Sequence, residues 1–307
     1  MELTDVIVKG RDDFQNDTLF AVPSLRANTP LGQLFNMDNL SIKEISMHEP
    51  HLKLVVADSG QVNWDIALET GTETDITSPG DGFTLKLDEI IISDAGFIYE
   101  DREADMLLLL EDIDINIAGK LYGTAAQVLA EGMAEQLSFT YGNINYISKV
   151  AVKTTSLLDV DYDKMDIRIE ESQLLVNRLP MEVTGLIQIP DDSMFFDLQF
   201  KTKESGFDNF LALVPPGYED YLKNIKTRGN AILEGTVNGL YYEEIYPVFN
   251  INIDVTDGNF HYADLPEEIK NIYADISVHK PQGILDLTEV KISKAHAEVK
   301  NSPVDLS

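Results

Sequence analysis

Residues Phe249–Val255 read FNINIDV, with Phe249, Ile251, Ile253 and Val255 alternating with Asn250, Asn252 and Asp254. Successive side chains of a strand point to opposite faces, so this run predicts a strand with one apolar and one polar face. The same period recurs outward along the chain. It is carried by Leu52, Leu54 and Val56, by Phe83, Leu85 and Leu87, and by Ile113, Ile115 and Ile117. Met165, Ile167 and Ile169 continue it, followed by Ala231, Leu233 and Val237, and by Ile272, Ala274, Ile276 and Val278. The intervening positions are polar and often acidic. Such alternation belongs to antiparallel meanders, whereas strands of a parallel sheet buried on both faces are continuously apolar.

Turn chemistry points the same way. Asp58-Ser59-Gly60, Pro79-Gly80-Asp81-Gly82, Asn238-Gly239 and Asp257-Gly258 are places where a positive φ is cheap, as tight hairpins require. Between them roughly fifteen to eighteen strands are expected. Helix is scarce. Ser205–Gly229 carries two helical stripes, Phe207, Phe210, Leu211, Val214 and then Tyr218, Tyr221, Leu222, Ile225, interrupted at Pro215-Pro216-Gly217. A further turn is expected over Leu265–Asn271, while Thr124–Leu137 fits helix or strand. The fold class expected is mainly β: a long antiparallel meander curled into a groove or open sandwich, with a few short helices. It forms one β-rich region over 1–307, or two subdomains, about 1–140 and 141–307.

Composition narrows the function classes. The 307 residues hold 23 Lys plus Arg against 53 Asp plus Glu, a formal charge of −30. Phosphate contacts need cationic side chains in surplus, so nucleic acid is not an expected partner. Without cysteine, thiolate catalysis and sulfur-bound zinc drop out. No apolar run exceeds the five residues of Met106–Leu110, far fewer than the ~20 residues of a membrane helix. The first thirty residues have no hydrophobic core, so no signal peptide is expected in them.

Motifs for catalysis are weak. Asp159, Asp161, Asp163 and Glu170 match most positions of a calcium loop, but Lys164 stands where that loop needs glycine, and the flanks read as strands. None of the five histidines has zinc spacing. No nucleophile elbow or phosphate-cradling glycine loop occurs. The expectation is a non-enzyme with neither metal nor cofactor. Trp64, after Asn63 and a turn, suits a plug at the end of a sheet, or a lipid-touching residue at its edge.

Two stretches echo each other: Ile92–Asp101 reads ISDAGFIYED and Val255–Asp264 reads VTDGNFHYAD. Each is expected to form a hairpin, and the pair suggests a periodic β architecture. Leu40–Trp64 reads LSIKEISMHEPHLKLVVADSGQVNW, a strand pair bearing Pro50 that ends in a glycine turn and Asn63-Trp64. This resembles the AsmA-like family of bacterial envelope proteins, and RGNAILEGTVNG from Arg228 with YPVFNINIDVTDGNFHYADLPEEIKN from Tyr246 looks similar too.

The resemblance implies a periplasmic region of a longer protein anchored in the inner membrane. It also implies kinship with repeating β-groove proteins that carry lipids along an apolar trough. The implied function is lipid binding or transport and outer-membrane homeostasis, with phospholipid or another acyl lipid as partner. The membrane would be reached through an anchor outside this chain. Lipid-contact residues expected on this basis are Leu52, Leu54, Phe83, Leu85, Leu87, Ile113, Ile115, Ile117, Met165, Ile167, Ile169, Ile251 and Ile253. A self-packed β scaffold for envelope assembly and a carbohydrate-active β protein are the alternatives.

Overall fold

The computed structural model describes residues 1–29, 39–66, 84–122, 124–142, 144–190, 193–203, 205–211, 225–242, 245–262, 267–300 and 302–306. Among them the chain is almost all strand, and contacts divide it into two units, Met1–Ala151 and Val152–Ser307.

The first unit opens with β1 (Glu2–Lys9) antiparallel to β2 (Thr18–Asn28). Next come β3 (Asn39–His48) and β4 (His51–Val56), which act as one path broken at Glu49-Pro50. Both pair antiparallel with β2, and both pair parallel with β5 (Thr84–Asp101) in a single register, from Asn39↔Thr84 through to Val56↔Asp101. β5 therefore starts at the end of the sheet where β3 began. That parallel pairing makes the sheet mixed and corrects the purely antiparallel expectation. Amphipathic alternation reports exposure of one face and is blind to strand direction. β6 (Met106–Tyr122) and β7 (Ala125–Tyr141) then add antiparallel. Thr124–Leu137 is accordingly strand from Ala125 onward; Ala126, Ala130 and Ala134 sit at strand spacing as well as helical spacing, and pairing with β6 decides the outcome.

Strand β8 (Ile144–Asp161) crosses the boundary between the units. In the second unit β9 (Asp166–Val176), β10 (Leu179–Gln188), β11 (Met194–Thr202) and β13 (Ile225–Tyr241) follow one another antiparallel, and the two-residue β12 (Ser205–Gly206) also lies on β13. β14 (Val248–Tyr262), β15 (Ile269–Lys280), β16 (Glu289–Val299) and β17 (Ser302–Leu306) complete the ladder. Of the helix expected over Ser205–Gly229, α1 (Phe207–Leu211) is helical among the described residues. Residues 212–224 lie outside the described residues, and Ile225–Gly229 belong to β13. The turn expected over Leu265–Asn271 is strand from Ile269 onward, with 263–266 outside the described residues. Asp58-Ser59-Gly60 is a turn, with Gly60 at φ +75 and its N–H donating to the Ala57 carbonyl. Pro79–Gly82 lies outside the described residues.

The echoing stretches are not hairpins. Ile92–Asp101 runs along β5 and Val255–Tyr262 along β14, with 263–264 outside the described residues, and the Asp-Ala-Gly or Asp-Gly-Asn step of each is a mid-strand kink: Asp94 has φ +57 and Asp257 φ +51. Asn238-Gly239 likewise lies inside β13. Asx and Gly supply left-handed backbone to a kink as cheaply as to a turn, so their presence alone does not reverse a chain. The partner strands kink alongside. Ala95 pairs with Ile113 beside Asp112 (φ +53) on β6, and Gly258 pairs with Ile272 beside Asn271 (φ +52) on β15. The two units thus repeat one device. In the first unit the registers also bring Asp5 (φ +53), Pro23, Glu49 (φ +53) and Asp94 into one row across β1, β2, the β3–β4 break and β5.

Candidate functional site

The kink shifts the phase of alternation. Ile92 before it and Phe97 after it differ in parity, yet both pack on the cluster of Ala95, Ile113 and Ala134, together with Leu110 and Ile115. Cross-strand partners share a face, so the apolar side continues from Phe97 to Leu52 of β4, and from Tyr99 to Leu54. Ile117 faces Ala130 and Ile90. In the second unit Phe200, Gly235, Ile251 and Val278 follow one cross-strand row, and Leu233, Ile253 and Ile276 another. Ile167 and Ile169 join this side through Ile187 and Gly185.

Two expected contacts fall elsewhere. Met165 is not on a strand but in the β8–β9 turn, at φ +52 and half exposed, because Asp161 closes that turn by accepting the backbone N–H groups of Asp163 and Lys164. Its carboxylate also pairs with the Lys164 ammonium, which holds it below the usual carboxylate range. Leu87 alternates with Asp88 on β5 and so lies on the side of Glu89, opposite Ile90 and Ile92. Phe83 and the Leu85 side chain lie outside the described residues.

Twelve apolar residues are buried among the described residues. Ile113 is buried, whereas Leu52, Leu54, Ile115, Ile117, Ile167, Ile169, Ile251 and Ile253 are each half-buried.

Sequence reading missed three features. Asn63, fully buried, imitates a strand on the edge of β4: its Oδ1 accepts from the Val55 N–H at 2.9 Å, its Nδ2 donates to the Lys53 carbonyl at 2.8 Å, and its own N–H donates to the Val55 carbonyl. Trp64 beside it is 39% exposed, so it does not plug the sheet; its ring lies 6.5 Å from that of Tyr99. Lys280, also fully buried, donates to the carbonyls of Tyr246, Pro247 and Pro281 and lies over the Tyr246 and Phe249 rings. Burial pushes its ammonium below the usual lysine range. Third, a hollow of about 410 Å³ opens on β10, β11, β13 and β14, lined mostly by polar residues such as Gln199 and Asn252, together with Phe200 and Gly235. None of the expected lipid contacts lines it.

Among the described residues no group of three or more His, Asp or Glu converges as a metal site, and no helix is long and apolar enough to cross a membrane. The fold is that of a mostly-strand, mixed-sheet protein with amphipathic strands. Compared with known proteins, the chain matches no family model, no curated protein and no solved structure.

Proposed function

We propose that the protein is a non-enzymatic, acyl-lipid-binding module of a bacterial envelope, as the AsmA-like resemblance of Leu40–Trp64 implies, its apolar sheet faces forming an open groove for lipid tails. The observation that carries this reading is the band of half-buried aliphatic side chains continuing across neighbouring strands of each unit, with few residues sealed beneath it. A band of half-buried apolar side chains offers a greasy ligand further surface to bury. A fully buried methylene contributes about 0.8 kcal/mol, so a sixteen-carbon tail gains on the order of 10 kcal/mol before ordering costs. An extended tail spans about half of the ~30 Å hydrocarbon core, or about three strand spacings of ~4.8 Å. The charge of −30 keeps a protein with such a face dispersed in water. The self-packed scaffold is the weaker reading, since it requires these side chains to be sealed against one another.

The test is native mass spectrometry of delipidated protein after incubation with phosphatidylglycerol or phosphatidylethanolamine. Retained lipid, lowered severalfold by Ile115→Asp or Ile253→Asp in variants with unchanged far-ultraviolet dichroism, supports the reading. Absence of any retained lipid on the wild-type protein defeats it.

A further inference from the structure

The second unit carries the hollow across β10, β11, β13 and β14. Its walls are set by strand pairing. Thr184 faces Gln199, Gln199 faces Thr236, and Thr236 faces Asn250, with Asn252 one pleat further along β14. These are hydroxyl and primary-amide groups, each both donor and acceptor. Thr184, Gln199 and Asn252 are exposed, while Asn250 already donates to the Thr236 hydroxyl and meets His279 Nδ1 at 2.6 Å. The charges present are largely spent within the protein: Glu182 is paired with both Lys201 and Lys203, which hold its carboxyl below the usual range. Glu234 adds a further negative group to the lining, which is unfavourable to phosphates and other anions.

We propose that this hollow binds a neutral, hydroxyl-rich ligand of the saccharide class. A sugar hydroxyl both donates and accepts, and so matches amides and hydroxyls better than any charged group does. The side chains project from paired strands, which fixes their spacing before a ligand arrives. A volume of about 410 Å³ lies in the range of small-molecule sites. Phe200 and Gly235, a cross-strand pair, also line the hollow, whereas Ile251 and Ile253 alternate with Asn250 and Asn252 on β14 and do not, so the site does not depend on lipid binding at those two residues.

Titration calorimetry on the full chain with maltotriose, cellotriose and tri-N-acetylchitotriose, and with inorganic phosphate as the charged comparator, tests the proposal. At least one trisaccharide should saturate one site per chain. Gln199→Ala with Asn252→Ala should weaken it about twentyfold, the loss expected for two hydrogen bonds. Thr184→Val, nearly the same shape without the hydroxyl, should weaken it about fivefold. Phosphate should neither bind nor compete. Failure of every trisaccharide to bind at about 10 mM, equal binding by the variants, or displacement by phosphate would each overturn the assignment.

Discussion

Asn63 shows how one side chain can take the place of a strand. Its amide satisfies the Val55 N–H and the Lys53 carbonyl on an edge of β4 that β2, whose β4 pairs are Phe20↔Leu52 and Ala21↔His51, leaves uncovered. Asn63→Ala orphans both groups and should cost about 2–3 kcal/mol, read as a lower urea midpoint by Trp64 fluorescence. Asn63→Asp should cost at least as much, because a carboxylate oxygen then faces the Lys53 carbonyl. His296 makes a different kind of fastening. Its Nδ1 lies 2.7 Å from Asp305 Oδ1 across β16 and β17, and Asp305 first, with help from Glu298, raises its pKa above the ordinary 6.5. A group whose folded pKa is raised contributes stability that is fully present below the unfolded value and lost as pH rises through the folded one. Amide exchange over Ser302–Leu306, corrected for its intrinsic rate, should therefore speed up as pH rises from the acid side of 6.5 to beyond the raised value. In His296→Gln this extra pH dependence should vanish; its persistence would assign the effect elsewhere.

At the scale of elements the kinks are the organising device, and they divide what could be read in the chain from what could not. Asp94→Val and Asp257→Val place a β-branched residue at positive φ and should each cost about 1–2 kcal/mol, whereas Asp94→Gly should be close to neutral; thermal unfolding of the three variants compares them. Equal stability of Asp94→Val and wild type would contradict the role given to the kink. Strand identity was legible because alternation such as that of Ile113, Ile115 and Ile117 depends only on which face is wet. The repeat was legible too, in Asp94 and Asp257. Its geometry was not, since Asx-Gly chemistry serves turns and kinks alike. Direction was hidden for a related reason: nothing local in β3 or β4 records that β5 runs parallel to them. Asn63 and the polar hollow depend on pairings between distant residues, which one sequence does not display. Leu87 and Met165 were misplaced because strict alternation was extended through an apolar phase change and through a turn.

At the scale of the whole molecule, the proposed function requires the apolar sides to stay open to a ligand. In the first unit that side contains Ile92, Phe97, Leu110 and Ile115 around Ala95, Ile113 and Ala134, and reaches Leu54 and Tyr99. Trp64, the single tryptophan, lies 6.5 Å from the Tyr99 ring, within contact-quenching reach of anything seated there. The most direct measurement is Trp64 fluorescence during titration with phosphatidylcholine brominated along its acyl chains, against the same lipid without bromine. The account predicts saturable quenching by the brominated lipid alone, reduced by Leu54→Asp. Unquenched Trp64 fluorescence across the titration, with the protein folded throughout, would contradict it.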